Sequence, residues 1–406
     1  VYQEIVNDAI ALAALAAIAV GRLPAFRTNR AGIALVASVL LVAAGAINLK
    51  GALGAIDLAT IALLLSMMIL VANLKFSGLF EAAADKVLRV ARGPRSLLAL
   101  IVAISGIFSA LFLNDTMCLA LTPLVCGLCL SAQVNPVPYL IGVATASNVG
   151  STCSLIGNPQ NMLIGLSSHI PFSRFFLRLA GPSVLGLGAV WLVIMLVFHK
   201  DFKKGVQLKP AQSRVRLYKP LLIKSSIAAI GLTLMLFLGV EPSLAAMAAA
   251  AFLLLTRRIK PERVFSEIDV SLLVFFSGLF VITSVIHKSG LFAWVSAQAF
   301  AYSGQSLGLF AVFSTLLSNI ISNVPAVMLL SPLVGRFPDQ ETAWLMLALS
   351  STLAGNLTLL GSVANLIVAE GAKAQGVKLG FWDYLKAGLP ITAITLFIGV
   401  FWLLML

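Results

Sequence analysis

Ser147-Asn148-Val149-Gly150-Ser151-Thr152, running on to Gly157-Asn158-Pro159-Gln160-Asn161, returns in the second half of the chain as Ser351-Thr352-Leu353-Ala354-Gly355-Asn356, running on to Gly361-Ser362-Val363-Ala364-Asn365. Each stretch lies inside an apolar run, 137–165 and 342–369, that is long enough to cross a bilayer. Gly150, Gly157 and Pro159 in one turn region, and Gly355 and Gly361 in the other, do not sustain a helix. The reading is two membrane spans, each broken near its middle by amides and hydroxyls.

The neighbouring segments repeat in the same order. Asn114-Asp115-Thr116 through Thr122-Pro123-Leu124-Val125 matches Asn323-Val324-Pro325 through Ser331-Pro332-Leu333-Val334. Further out, Asp57 followed by Ser77-Gly78-Leu79-Phe80 matches Asp269 followed by Ser289-Gly290-Leu291-Phe292. Arg178-Leu179-Ala180-Gly181-Pro182 echoes Lys386-Ala387-Gly388-Leu389-Pro390. Asp57 and Asp269 stand where helices start, and an N-cap is the simpler reading of both.

Composition names the solvent. Of 406 residues, 60% are hydrophobic and 11% charged, and the mean hydropathy is +1.03. A soluble domain carries about 25% charge. So much apolar surface cannot be hidden in one core, and lipid must cover the rest. Candidate spans fall at 5–21, 31–48, 57–74, 137–165, 177–198, 220–239, 243–256, 269–286, 342–369 and 385–406. The N-terminus shows neither a basic n-region nor a small-residue cleavage site, so the first span is expected to be retained.

The net charge of +13 raises the question of nucleic acid, but its placement answers otherwise. Most lysines and arginines fall in five segments, 22–30, 75–95, 199–219, 257–263 and 370–386. The positive-inside rule puts these in the cytoplasm and both termini outside. That count closes only if 97–131 enters from the cytoplasm and returns there, and 306–335 does the same from outside. Each is then a re-entrant hairpin, tolerated where protein or a water-filled cavity surrounds it. The expected fold is an all-α polytopic membrane protein. It has about ten transmembrane helices plus two re-entrant hairpins in two inverted-topology repeats. These are 1–198 and 220–406, joined by a basic cytoplasmic linker, 199–219. Inverted repeats are the architecture of alternating access around a midplane site.

The broken segments supply the candidate site. Asn114, Thr116, Asn158, Asn161, Asn323, Ser362 and Asn365 offer amides and hydroxyls for a small polar or anionic solute. Asp115, Asn114, Asn148, Thr152, Asn323, Asn356 and Thr358 are the candidates for a coupling ion, H⁺ or Na⁺. Unwound carbonyls can hold Na⁺, and helix N-termini can face an anion. A carboxylate within the membrane is a functional candidate by default. The second half has Val324 in the place of Asp115, so the halves are chemically unequal. Glu370 reads as a surface anchor.

Cys118 and Cys153 lie beside the site as small packing residues, with trivalent arsenic ligation as the alternative. Cys126 and Cys129 have no second pair, and neither a metal nor another cofactor is expected. His169, His199 and His287 cluster with no nucleophile or acid, and an enzyme is not expected.

These motifs resemble the ion transporter superfamily, which includes arsenite permeases, citrate and dicarboxylate symporters and Na⁺/H⁺ antiporters. The resemblance covers nearly the whole chain. It is carried by Asn114-Asp115-Thr116, Gly157-Asn158-Pro159-Gln160-Asn161, Ser322-Asn323-Val324-Pro325 and the run from Asn356 to Asn365. The dicarboxylate branch carries Ser-Asn-Thr at both hairpin tips. The Asn-Asp tip here, with Asn-x-Pro at the second, resembles the arsenite permease branch and its bacterial relatives.

The resemblance implies a bacterial or archaeal plasma-membrane protein, a homodimer contact through a scaffold of spans 5–48 and 220–256, and a transport part that moves as an elevator. It implies arsenite or antimonite efflux coupled to protons. The alternative is a Na⁺-coupled symporter of a carboxylate or inorganic oxyanion. A passive channel, or a membrane subunit with a soluble ATPase partner docked on the linker, are readings from other classes.

Overall fold

The computed structural model describes residues 2–21, 28–202, 217–255, 259–290, 292 and 306–406. Arg22, Arg27, most of the expected linker 199–219, Arg257 and Arg258 lie outside the described residues.

The first half runs through α1 (Tyr2–Val20), α2 (Arg30–Ala43), α3 (Leu49–Ala55), α4 (Leu58–Phe76) and α5 (Leu79–Val90). It continues through α6 (Pro94–Leu111), α7 (Asn114–Ser131), α8 (Val137–Ser151), α9 (Pro159–Ser168) and α10 (Phe172–Val197). The second half follows with α11 (Lys219–Phe237), α12 (Pro242–Leu254), α13 (Pro261–Phe265) and α14 (Val270–His287). Then come α15 (Leu307–Ile321), α16 (Asn323–Val334), α17 (Gln340–Ala354), α18 (Val363–Ala374) and α19 (Phe381–Met405).

Packing follows the repeat. Where α2 of the first half lies on α14 of the second, α12 of the second lies on α4 of the first. In each half the first hairpin arm packs on the first half of the broken span, α6 on α8 and α15 on α17. α10 and α19, equivalent by sequence, pack on each other. The α2–α14 seam is tight: a Cβ at Gly278 would fall 2.8 Å from the Ala34 carbonyl oxygen. The Ser38 hydroxyl crosses the same seam to the Gly278 carbonyl at 3.0 Å.

The hairpins enter from opposite ends of α10. At its C-terminal end, Trp191 Nε1 donates to the Arg95 carbonyl at the base of α6, and Arg95 Nε donates to the Phe202 carbonyl. At its N-terminal end, Arg174 pairs with Glu341 at 2.6 Å, one loop beyond α16. Opposed entry is what the charge distribution requires of 97–131 and 306–335.

The structure corrects several boundaries. The apex of the first hairpin is Phe112-Leu113, not Asn114-Asp115-Thr116. Phe112 and Leu113 are extended, and Asn114 begins the return arm, its backbone N–H donating to the Gly157 carbonyl at 2.9 Å. The second apex is Ser322, a non-glycine at φ +82°. The first break spans 152–158, so Gly150 lies inside α8 and does not break it. Its role is contact: a Cβ there would sit 2.2 Å from the Gly106 carbonyl oxygen.

Seven helices among the described residues are long and apolar enough to cross a membrane. Two of them, α6 and α7, are arms of a hairpin that turns back. Segments 31–48 and 243–256 hold the shorter helices α2 and α12. Asp57 and Asp269 are N-caps: Asp57 accepts from the N–H groups of Ala59 and Thr60, and Asp269 from that of Leu272.

Two stability tests follow from these contacts. Gly150→Ala drives a methyl into backbone on the facing helix and is expected to cost about 1–3 kcal/mol, read as a lower Tm in detergent. Gly127→Ala, with nothing within 4 Å of its built Cβ, is expected to match or exceed the parent, because alanine is the better helix former. Asp339 caps α17 outside the membrane. The Thr342 hydroxyl and backbone N–H hold its carboxyl below the usual carboxylate range, with Arg178 adding to the effect. A depressed folded-state pKa stabilises above the unfolded value and is lost as pH falls through the folded one. Asp339→Ala is expected to lose about 1 kcal/mol at neutral pH, and the gap from the parent should narrow in acid melts.

Candidate functional site

Each break is stitched shut by its own asparagine. Asn158 caps α9, its Oδ1 accepting from the Asn161 N–H at 2.8 Å. Asn161 Nδ2 then reaches back to the carbonyls of Ser151, Thr152 and Ser154 at 3.1, 3.3 and 3.1 Å. The second half repeats the device. Ser362 caps α18 by accepting from Ala364 N–H, and Asn365 Nδ2 donates to the carbonyls of Gly355 and Thr358 at 2.6 and 3.0 Å. The unwound carbonyls that sequence reading offers to Na⁺ are therefore occupied at these five positions.

The two breaks also hold each other. Asn148 is the hub: its Oδ1 accepts from Asn114 Nδ2 at 3.0 Å, and its Nδ2 donates to Asn356 Oδ1 at 2.9 Å and to Asn365 Oδ1 at 3.4 Å. Asn356 Nδ2 continues to the Thr145 carbonyl. A second bridge runs through Thr352. Its hydroxyl accepts from Asn158 Nδ2 and Gln160 Nε2, each at 3.3 Å, and donates to Asn161 Oδ1 at 3.4 Å. All of these residues are buried, and among the described residues no lysine or arginine is one of their hydrogen-bond partners. Thr152 donates to the Asn148 carbonyl, and Thr358 to Asn319 Oδ1 at the side of this cluster.

Several oxygens here have no partner among the described residues. Asn114 Oδ1 and Asn323 Oδ1 occupy equivalent places at the start of the two return arms. Ser109 Oγ and Ser318 Oγ are likewise equivalent, on the two entering arms, and both residues are fully buried. A buried polar group without a partner costs about 1–3 kcal/mol, and these four atoms, like Ser105 Oγ and Ser154 Oγ, keep hydrogen-bonding capacity to spare.

Asp115 faces elsewhere. Consecutive helical residues point in different directions, so while Asn114 turns into the asparagine cluster, Asp115 and Thr116 line a separate cavity of about 120 Å³. Its other polar walls are Lys75, Glu267 and Asp269. Lys75 and Glu267 pair at 2.6 Å, whereas the half-buried Asp115 carboxylate makes no hydrogen bond or ion pair among the described residues.

The structure thus gathers Asn114, Asn148, Asn158, Asn161, Thr152, Asn356 and Asn365 into one network, with Ser362 at its edge. It sets Asp115 and Thr116 in the adjoining cavity. Asn323 sits at the second tip with its oxygen free. The cysteines are all free and buried, and Cys118 Sγ lies 3.0 Å from Ser147 Oγ. Sequence reading missed Ser109, Ser318, Asn319, Thr145 and Tyr384. For the serines a signal was present: Ser105, Ser109 and Asn114 recur with the same spacing as Ser314, Ser318 and Asn323.

Comparison with known proteins bears on the family and the fold. The family profile described as "Citrate transporter" matches residues 13–344. The silicon efflux transporter LSI3 of Oryza sativa subsp. japonica is 29% identical, over 93% of this chain and 93% of its own. A Dictyostelium discoideum transporter named arsB is 27% identical, over 92% of this chain and 86% of its own. The crystal structure of the Alcanivorax borkumensis YdaH transporter shares the fold at a TM-score of 0.62, with 16% identity and coverage of 99% of this chain and 98% of that one. The broken spans, the opposed hairpins and the match across most of the sequence place this chain in the citrate transporter family of the ion transporter superfamily, as a membrane-embedded secondary transporter.

Proposed function

We propose that the protein exports a small uncharged oxyacid, arsenite or antimonite in its trihydroxy form, in exchange for protons. The observation that carries this reading is the chemistry of the hub: amides and hydroxyls, buried, with no cationic partner among the described residues. Such a lining exchanges hydrogen bonds with a neutral polyhydroxy solute at little cost. A citrate trianion would lose its hydration there with nothing to offset its charge. The names of two relatives, one a silicon efflux transporter and one called arsB, support the same solute class.

Asp115 is the proton carrier in this scheme. It stands on one hairpin only, beside the hub and in its own cavity, so its protonation can bias one hairpin without competing for solute. The basic segments face the cytoplasm of a bacterial or archaeal cell, both termini face outward, and the hairpins and broken spans move together against the scaffold of a homodimer.

One observation favours a second reading. Asn114 Oδ1 with Ser109 Oγ, and Asn323 Oδ1 with Ser318 Oγ, are two oxygen-only sets at equivalent places. They suit Na⁺ coupling, with a carboxylate or oxyanion as solute.

The deciding measurement is arsenite uptake into inverted vesicles with an acidic interior. Uptake is expected to concentrate arsenite and to collapse with a protonophore. Asp115→Asn is expected to lower proton-driven uptake at least about tenfold, the equivalent of about 1.4 kcal/mol, while leaving downhill exchange measurable. Unchanged proton-driven uptake in that variant removes Asp115 from coupling. Transport that requires Na⁺ and ignores the pH gradient selects the second reading.

A further inference from the structure

We propose that Tyr384 is a specificity-determining residue of the transport site, its phenolic hydroxyl donating to an oxygen of the solute. Tyr384, in the first turn of α19, is fully buried. By distance and angle its hydroxyl completes no hydrogen bond among the described residues, and the Asn365 amide is the polar group within its reach. A tyrosine that serves only as core packing ordinarily finds a partner for that group.

The surroundings say what the group is for. The ring lies near Asn365 and Cys118, one from the second broken span and one from the first hairpin. One turn on, Gly388 brings α19 against the second break. A Cβ at that position would fall 2.5 Å from the Asn356 carbonyl oxygen and 2.9 Å from the Tyr384 ring. The phenol is therefore held by backbone contact at the place where hairpin, break and asparagine hub converge.

The repeat supplies an internal control. By the match of Arg178 to Lys386, the counterpart of Tyr384 is Phe176. Phe176 has no hydroxyl, and it packs in an aromatic cluster with Phe172 and Phe237, at centroid distances of 6.1 and 5.6 Å. Packing alone is met by phenylalanine in one half. The other half carries the hydroxyl at the hub. A site that offers a fixed donor to a solute oxygen discriminates strongly, since a solute lacking that oxygen leaves the donor unpaired.

The inference rests on transport through the hub, and on the oxyacid reading only for the solute's identity. Tyr384→Phe removes one oxygen and leaves the ring. Its Tm is expected to equal or exceed that of the parent, while KM for arsenite rises about tenfold and exceeds any change in kcat. A KM within twofold of the parent, with the same Tm, overturns the proposal. If the parent moves neither arsenite nor antimonite, the oxyacid reading falls, and Tyr384→Cys decides this one. A small methanethiosulfonate reagent is expected to label that variant in vesicles above the background of the four buried native thiols. A variant that inserts and stays unlabelled overturns the role of Tyr384 whatever the solute.

Discussion

Everything central to this structure depends on how unwound backbone is satisfied inside a membrane. A span that breaks at its midpoint exposes carbonyls and N–H groups where no lipid can bond them. The chain answers with one asparagine per break. Asn161 and Asn365 sit at matching places, one turn into the second half-helix, and each ties the carbonyls ahead of it. The break thereby becomes a fixed structure. It can present Asn148 and Asn356 to the centre, where the halves hold each other through that amide pair at 2.9 Å and through the Thr352 bridge.

Fixed breaks change what the site can offer. Carbonyls already bonded are poor ligands for a passing ion, so the ligands available are those left over. These lie on the hairpins, at Asn114, Asn323, Ser109 and Ser318, and on α19 at Tyr384. The broken spans are a bonded framework, and the polar atoms left without partners among the described residues lie largely on the hairpins. Among the described residues one backbone bond, Asn114 N–H to the Gly157 carbonyl, ties the first apex to its break, beside the Asn114–Asn148 amide bond.

Much of this was legible in the sequence, because inverted repeats write the same pattern twice. The breaks were marked by Gly157, Pro159 and Gly361, and the caps by Asp57 and Asp269, all through local backbone rules. What escaped was set by contacts between distant segments. Phe112-Leu113 carries no turn signal, and becomes an apex because Gly157 accepts a bond there. Gly150 looked like a breaker, and is a contact with Gly106 on the facing arm. Tyr384 looked like an ordinary aromatic in an apolar span; only burial and the missing partner single it out.

The two halves share a frame and differ in chemistry, and the differences sit on opposite sides of the hub. Asp115, with Val324 as its counterpart, marks the first hairpin and faces a cavity of its own. Tyr384, with Phe176 as its counterpart, marks the last helix and faces the hub. An acid inside the hub would compete with solute for the same amides and would repel an anion. Placed one residue from Asn114, it would act as the proposed proton carrier on the hairpin through the backbone instead. The proposed proton coupling then needs no contact between proton and solute. It needs only that the hairpin carrying Asp115 also carries Asn114, so that the state of one side chain fixes where the other can reach.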